Sequence, residues 1–315
     1  MRVLSLSCTL HPVQLVHIQI DALYVHRIGQ QLGYTRKFLS PSSVRVQIPG
    51  GFPYEAFDGA ARIRPWSVLH LIDSARVYFC IPTIDDTDRS FIDFHLLCQN
   101  NLPFIVSLKL EIAPALYDVS IPKAPIIVDT YLSNIGNSSL VLAHNVMHPD
   151  IAQPLAKCWI QNVFVSKTTR QPENIPQEYK ETYGQLCEDG KPLIIKPLLK
   201  PANRDLISTV DMRVYGSDTD PNLHTNYINY LRYCLNGLAA IAHRELSANK
   251  PPHDLNHYVK SASMLYQKES LVGDELIVDV WKDGGNSHAL NFEILKQDSR
   301  LFQSKIELHT DDICM

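Results

Sequence analysis

The chain has 315 residues, 45% hydrophobic and 20% charged, with 29 Lys and Arg against 33 Asp and Glu. At roughly 150 residues per domain this length predicts about two domains. The net charge of −4 gives no global electrostatic basis for binding nucleic acid or an anionic membrane. No run of 18 apolar residues occurs, so no membrane span is expected.

Residues 1–41 read as a leader outside the fold, disordered or poorly defined. Residues 1–54 carry one acid, Asp21, against Arg2, Arg27, Arg36, Lys37 and Arg45, a weakly mitochondrial character. The seven cysteines are odd in number, form no C-x-x-C pair and sit mostly in apolar runs, which predicts a reducing compartment. The expected location is therefore cytoplasmic, with mitochondrial as the alternative.

A first domain is predicted over 42–172. It opens with the strand Val44–Ile48, followed by a helix from Pro65 to Phe79, with Pro65 in the first helical turn and apolar residues at helical spacing. Strands follow at Phe104–Ile112, Ile126–Leu132, Ser139–Val146 and Cys158–Val165. Residues 173–205, rich in proline and charge, read as a linker. The second domain, 206–315, repeats the order. A strand at Asp211–Tyr215 precedes a long helix from about Thr225 to Glu245, apolar nearly all round and so suited to burial inside a wrapped sheet. Strands follow at Ala262–Glu269, Glu275–Trp281, Ala289–Leu295 and Phe302–Leu308. Strand, helix and a run of antiparallel strands, stated twice, predict an α+β protein, a double hot-dog in which each half wraps a sheet around one long helix.

Just before the second helix stands Ser217-Asp218-Thr219-Asp220-Pro221-Asn222-Leu223-His224-Thr225-Asn226. This stretch resembles the S-D-x-D-x-N-x-H-x-N-N motif of the plant and bacterial acyl-ACP thioesterases, with Tyr227 in place of the last Asn. The family's Glu-Cys at a later strand end corresponds to Glu269-Ser270, reached across an insertion that contains Pro251-Pro252-His253. The resemblance implies a thioesterase acting on fatty acyl thioesters of acyl carrier protein or coenzyme A. It implies catalytic residues Asp220, Asn222, His224 and Glu269, with Asn226 and Ser270 beside the substrate. No cofactor, metal or nucleic acid is implied, and the chain is expected as a monomer or homodimer.

Thioester hydrolysis needs an activated water and donors for the oxyanion. Glu269 is the candidate base, with Asp220 as the alternative, and the amides of residues 222–226 at the helix start are candidate oxyanion donors. Asp220 and Asn222 equally suit a turn and helix cap, and Asn226 a helix start. In the first half Asp58 keeps the acid, but Ala60 and Arg62 stand where Asn222 and His224 align, so that half reads as non-catalytic. Arg62 and Arg64 are candidates for a pantetheine phosphate. His144 and His148, four apart, fall on a strand end and a turn rather than a helix, which argues against a metal pair. Two other functions stay open. One is a non-catalytic acyl-thioester binder. The other is an enoyl-thioester hydratase, although that family's Asp and His stand five residues apart and Asp220 and His224 stand four apart.

Overall fold

The computed structural model describes residues 22–80, 90–188, 190–203, 208–220, 223–247 and 258–309. They divide into two compact units, one ending at Ile194 and the other beginning at Ile195.

The first unit holds helix α1 (Ala22–Gln31), strands β1 (Thr35–Ser40) and β2 (Ser43–Ile48), and helix α2 (Pro65–Cys80). A short helix α3 (Phe94–Leu97) and strands β3 (Asn101–Ile112), β4 (Ile126–Ile135), β5 (Ser139–Met147) and β6 (Ala156–Ser166) follow, then helix α4 (Gln177–Tyr183). The strands form an antiparallel sheet in the order β1-β2-β4-β5-β6-β3. In β2, Val44, Val46 and Ile48 are buried while Arg45 and Gln47 point away, the alternation of a half-buried strand. Helix α2 packs against β2 and β5 and buries Val68, Leu69, Leu71, Ile72, Ala75 and Phe79. Each such large side chain contributes about 1.5–3 kcal/mol.

The second unit holds strand β7 (Ser208–Arg213), helix α5 (Tyr227–Ser247) and strands β8 (Val259–Tyr266), β9 (Glu275–Lys282), β10 (Ala289–Lys296) and β11 (Ser299–Leu308). Its antiparallel order is β8-β11-β10-β9-β7. Helix α5 lies on β7 and β9, and a Cβ at Gly237 would stand 3.2 Å from Val278, so glycine permits the close approach. Each unit is thus an antiparallel sheet carrying a long helix.

The structure departs from the sequence reading at four places. Residues 22–40 of the expected leader belong to the fold, because β1 pairs along β2 and α1 packs on α2. The expected linker, 173–205, is partly built into the fold. It contains α4, and its end, 195–203, is fixed to the second unit. There Leu198 exchanges two 3.1 Å hydrogen bonds with the Gln303 side chain, and Lys200 pairs with the buried carboxylates of Asp279 and Glu293. Helix α5 is buried on most of its circumference but exposes Asn236, Ala239, His243 and Arg244, since the sheet of its unit covers one side. Finally, β8 ends at Tyr266, so Glu269 sits in the loop beyond the strand.

Candidate active site

The motif folds as a tight turn between β7 and α5. Asp220 N–H donates to His224 O at 2.8 Å, Leu223 N–H donates to Asp220 O at 2.9 Å, and the Asp220 carboxylate accepts His224 N–H at 3.2 Å. Leu223 takes a left-handed φ of 63° at the apex. Asn222 lies outside the described residues. Asn226 caps the helix, its Oδ1 accepting Ile228 N–H at 3.0 Å.

The first unit builds the same turn from Asp58. Asp58 N–H donates to Arg62 O at 2.8 Å, Ala61 N–H donates to Asp58 O at 3.1 Å, and Asp58 Oδ1 accepts Arg62 N–H at 2.9 Å. Ala61 has φ 58°, and α2 begins at Pro65 as far beyond Asp58 as α5 begins beyond Asp220. Arg62 thus occupies the backbone position of His224. Arg64 is engaged locally, its guanidinium donating to Glu55 O at 2.8 Å and lying over Trp66.

His224 and Glu269 meet. An isolated bridge joins His224 to Leu271, and His224 Nδ1 stands 3.4 Å from Glu269 Oε1, with side chains 18% and 34% exposed. The pair is therefore open enough for solvent and partly shielded from it. Tyr215, Leu223 and Val272 are exposed apolar side chains on the same loops. Ser270, by contrast, is wholly buried.

Behind the turn lies a charge centre. The Asp218 carboxylate, buried, accepts Tyr215 N–H and the Tyr233 hydroxyl, both at 2.8 Å, and pairs with Arg232. Burial alone would push this carboxyl up, but Tyr215 N–H, the Tyr233 hydroxyl and Arg232 outweigh it and hold it below the usual carboxylate range. Its carbonyl accepts Asn226 N–H at 2.9 Å and Asn229 Nδ2 at 2.7 Å, fixing the start of α5. These partners went unread in the sequence. The only signal was the i, i+4 spacing of Asn229 and Tyr233 on one helix face.

Of the candidate oxyanion donors, the amides of residues 223–226 are occupied. The amides of His224, Thr225 and Asn226 donate to Asp220 Oδ1, Ser270 O and Asp218 O respectively. His144 and His148 have their Nδ1 atoms engaged by Thr130 Oγ1 at 2.8 Å and Asp150 N–H at 3.2 Å. Among the described residues no three potential metal-ligating side chains cluster, and no helix is long and apolar enough to cross a membrane.

No protein-family model matches the chain, and no curated protein matches it. Solved structures do. The 12:0-ACP thioesterase of Umbellularia californica aligns over 87% of this chain and 99% of its own, with TM-score 0.63 at 15% identity. An oleoyl thioesterase of Lactobacillus plantarum aligns over 89% and 98%, with TM-score 0.62 at 18% identity. An acyl-ACP thioesterase of Bacteroides thetaiotaomicron aligns over 85% and 98%, with TM-score 0.60 at 18% identity. The likeness is one of fold: the chain has the fold of the acyl-ACP thioesterases.

Proposed function

We propose that the protein is a double hot-dog thioesterase hydrolysing fatty acyl thioesters, of acyl carrier protein or coenzyme A, to the free acid and thiol. The observation that carries the reading is the approach of Glu269 to His224, 3.4 Å apart beside the Asp220 turn, in a fold shared with thioesterases. In this reading Glu269 takes a proton from water as the water oxygen attacks the thioester carbonyl carbon. The tetrahedral intermediate then collapses, the C–S bond breaks, and the proton passes to the departing sulfur.

Two features favour Glu269 over Asp220 as base. The Asp220 carboxylate accepts His224 N–H within its own turn, the role Asp58 performs in the first unit with Arg62 in place of His224. Glu269 faces the imidazole directly. With the amides of 224–226 committed, the positive end of the α5 dipole and the His224 ring edge remain to meet the oxyanion. Asn222 belongs to the same set by the motif, and Asn226 serves it as helix cap. The exposed apolar side chains of Tyr215, Leu223 and Val272 suit the alkyl part of such a substrate.

Thiol release from medium- and long-chain acyl-CoA and acyl-ACP tests the proposal. Release by the wild type and its loss in Glu269→Gln support it. Absence of release from every thioester refutes it and favours a non-catalytic binder. Hydration of a 2-enoyl-CoA would favour the hydratase.

A further inference from the structure

Two adjacent residues on each side of the site face each other in alternation. His224 and Glu269 lie on the partly exposed side, and Thr225 and Ser270 point inward, as successive side chains of extended chain do. The inward pair is enclosed, with Ser270 fully buried and Thr225 nearly so. Every polar atom of Ser270 is used there. Its N–H donates to the Tyr230 hydroxyl at 3.2 Å, its carbonyl accepts Thr225 N–H at 2.8 Å, and its hydroxyl bonds Thr225 Oγ1 at 2.7 Å and Tyr230 Oη at 2.9 Å. Thr225 immediately precedes the α5 cap and Tyr230 stands in the first turns of α5, packed on Phe302 at 5.1 Å between ring centroids.

We propose that Thr225, Ser270 and Tyr230 form a three-hydroxyl latch that positions Glu269 against His224, which makes all three positioning residues of the hydrolytic site. The inference rests on the thioesterase reading for its kinetic consequence, though not for its geometry. On its other side the Glu269 loop is tethered by Gln267 and Lys268, whose N–H groups donate to Leu301 O at 2.8 and 3.1 Å. Glu269 therefore sits between two anchors, and the latch ties its loop to the residue before the α5 cap and to the first turns of that helix. Burial pushes the Tyr230 hydroxyl up to about 12, so it keeps its proton across the working range. Ser270 thus acts from behind the site, which explains why a residue adjacent to Glu269 is wholly enclosed.

Three near-isosteric variants test the latch: Ser270→Ala, Thr225→Val and Tyr230→Phe, with Thr225→Ser as the conservative control. Displacing a reacting group by about 1 Å costs on the order of 100-fold in rate. Each hydroxyl deletion is expected to lower kcat by about 10- to 100-fold with KM within about twofold, and Thr225→Ser to restore it. In a Glu269→Gln background the same deletions should cost nothing further, because the group they position is gone. Unchanged kcat in all three variants, or full additive losses on top of Glu269→Gln, overturns the latch. Crystal structures of the wild type and Thr225→Val supply a readout independent of activity. The latch requires the separation of His224 Nδ1 and Glu269 Oε1 to widen in the variant. An inactive wild type with that widening defeats the thioesterase reading and leaves the latch standing; an unchanged separation defeats the latch.

Discussion

Replacing Asp218 probes whether the charge centre behind the turn stabilises the second unit. Its side chain is 4% exposed, with Oδ2 accepting Tyr215 N–H and the Tyr233 hydroxyl and Oδ1 accepting Arg232 and, at 3.4 Å, the Ser217 hydroxyl. Asp218→Asn keeps the shape but exchanges one acceptor oxygen for a donor. The least costly orientation keeps the carbonyl oxygen on the Tyr233 hydroxyl and Tyr215 N–H and turns the new amide toward Arg232, which is 30% exposed and can rehydrate. That loses one charge-assisted hydrogen bond, about 1.5–3 kcal/mol. Asp218→Ala also strands the buried Tyr233 hydroxyl and the Tyr215 N–H, raising the loss to about 3–5 kcal/mol. Urea unfolding followed by circular dichroism reads both as midpoint shifts at unchanged slope. The pH dependence has a fixed sign. A carboxyl held below its unfolded value of about 3.9 adds stability above that value, which is lost as pH falls through the folded value. The gap between wild type and Asp218→Asn should be full at neutral pH and shrink below about pH 4. Both variants falling within about 0.5 kcal/mol of wild type, as exposed substitutions do, would refute the reasoning.

Glu269→Gln should lower thiol release by about 10²–10⁴-fold, the usual contribution of a general base, while leaving unfolding midpoints unchanged. Gly51 has φ 57°, and an added Cβ would stand 2.0 Å from Lys123 O and 2.7 Å from Ala124 Cα. Gly51→Ala should therefore destabilise the first unit by more than about 1 kcal/mol, and a midpoint equal to wild type would contradict the steric reading. His144 is fully buried and its imidazole is pushed down to about 3, first by burial and then by Arg76. Because the unfolded chain binds the proton first, the first unit should lose about 1.4 kcal/mol per pH unit below about 6.5. In His144→Gln that slope should flatten by about 2 kcal/mol between pH 7 and pH 5, as urea titrations at the two pH values would show.

The sequence made the elements with strong periods legible and left those held by pairing alone obscure. Strands β2 to β6 and β8 to β11 alternate or run apolar, and both long helices bury apolar faces that composition reveals. Strand β1 was unreadable because Thr35, Lys37, Phe38 and Leu39 are exposed, so its place comes from backbone bonds to β2 rather than from burial. The alignment of Asp58 with Asp220 was legible from order alone, and the two turns share their hydrogen-bond pattern. What that pattern does was not legible, since an acid that shapes a turn and one that moves a proton are the same letter. Ser270 shows the same limit, because its neighbour Glu269 is partly exposed and only three dimensions show that Ser270 faces the helix.

The binding of Lys200 to Asp279 and Glu293 bears on where the second unit can be cut from the chain. Glu293 is also held by Arg300 and Gln303, but Asp279 has Lys200 as its counter-ion and Thr209 as a 2.7 Å hydroxyl partner. A fragment started at β7, where the sheet of that unit begins, would strip a cation from two enclosed carboxylates and uncover the Gln303 amide. The second unit therefore starts at about Ile195, with residues 195–203 in no strand or helix yet completing the electrostatics of the sheet they cross.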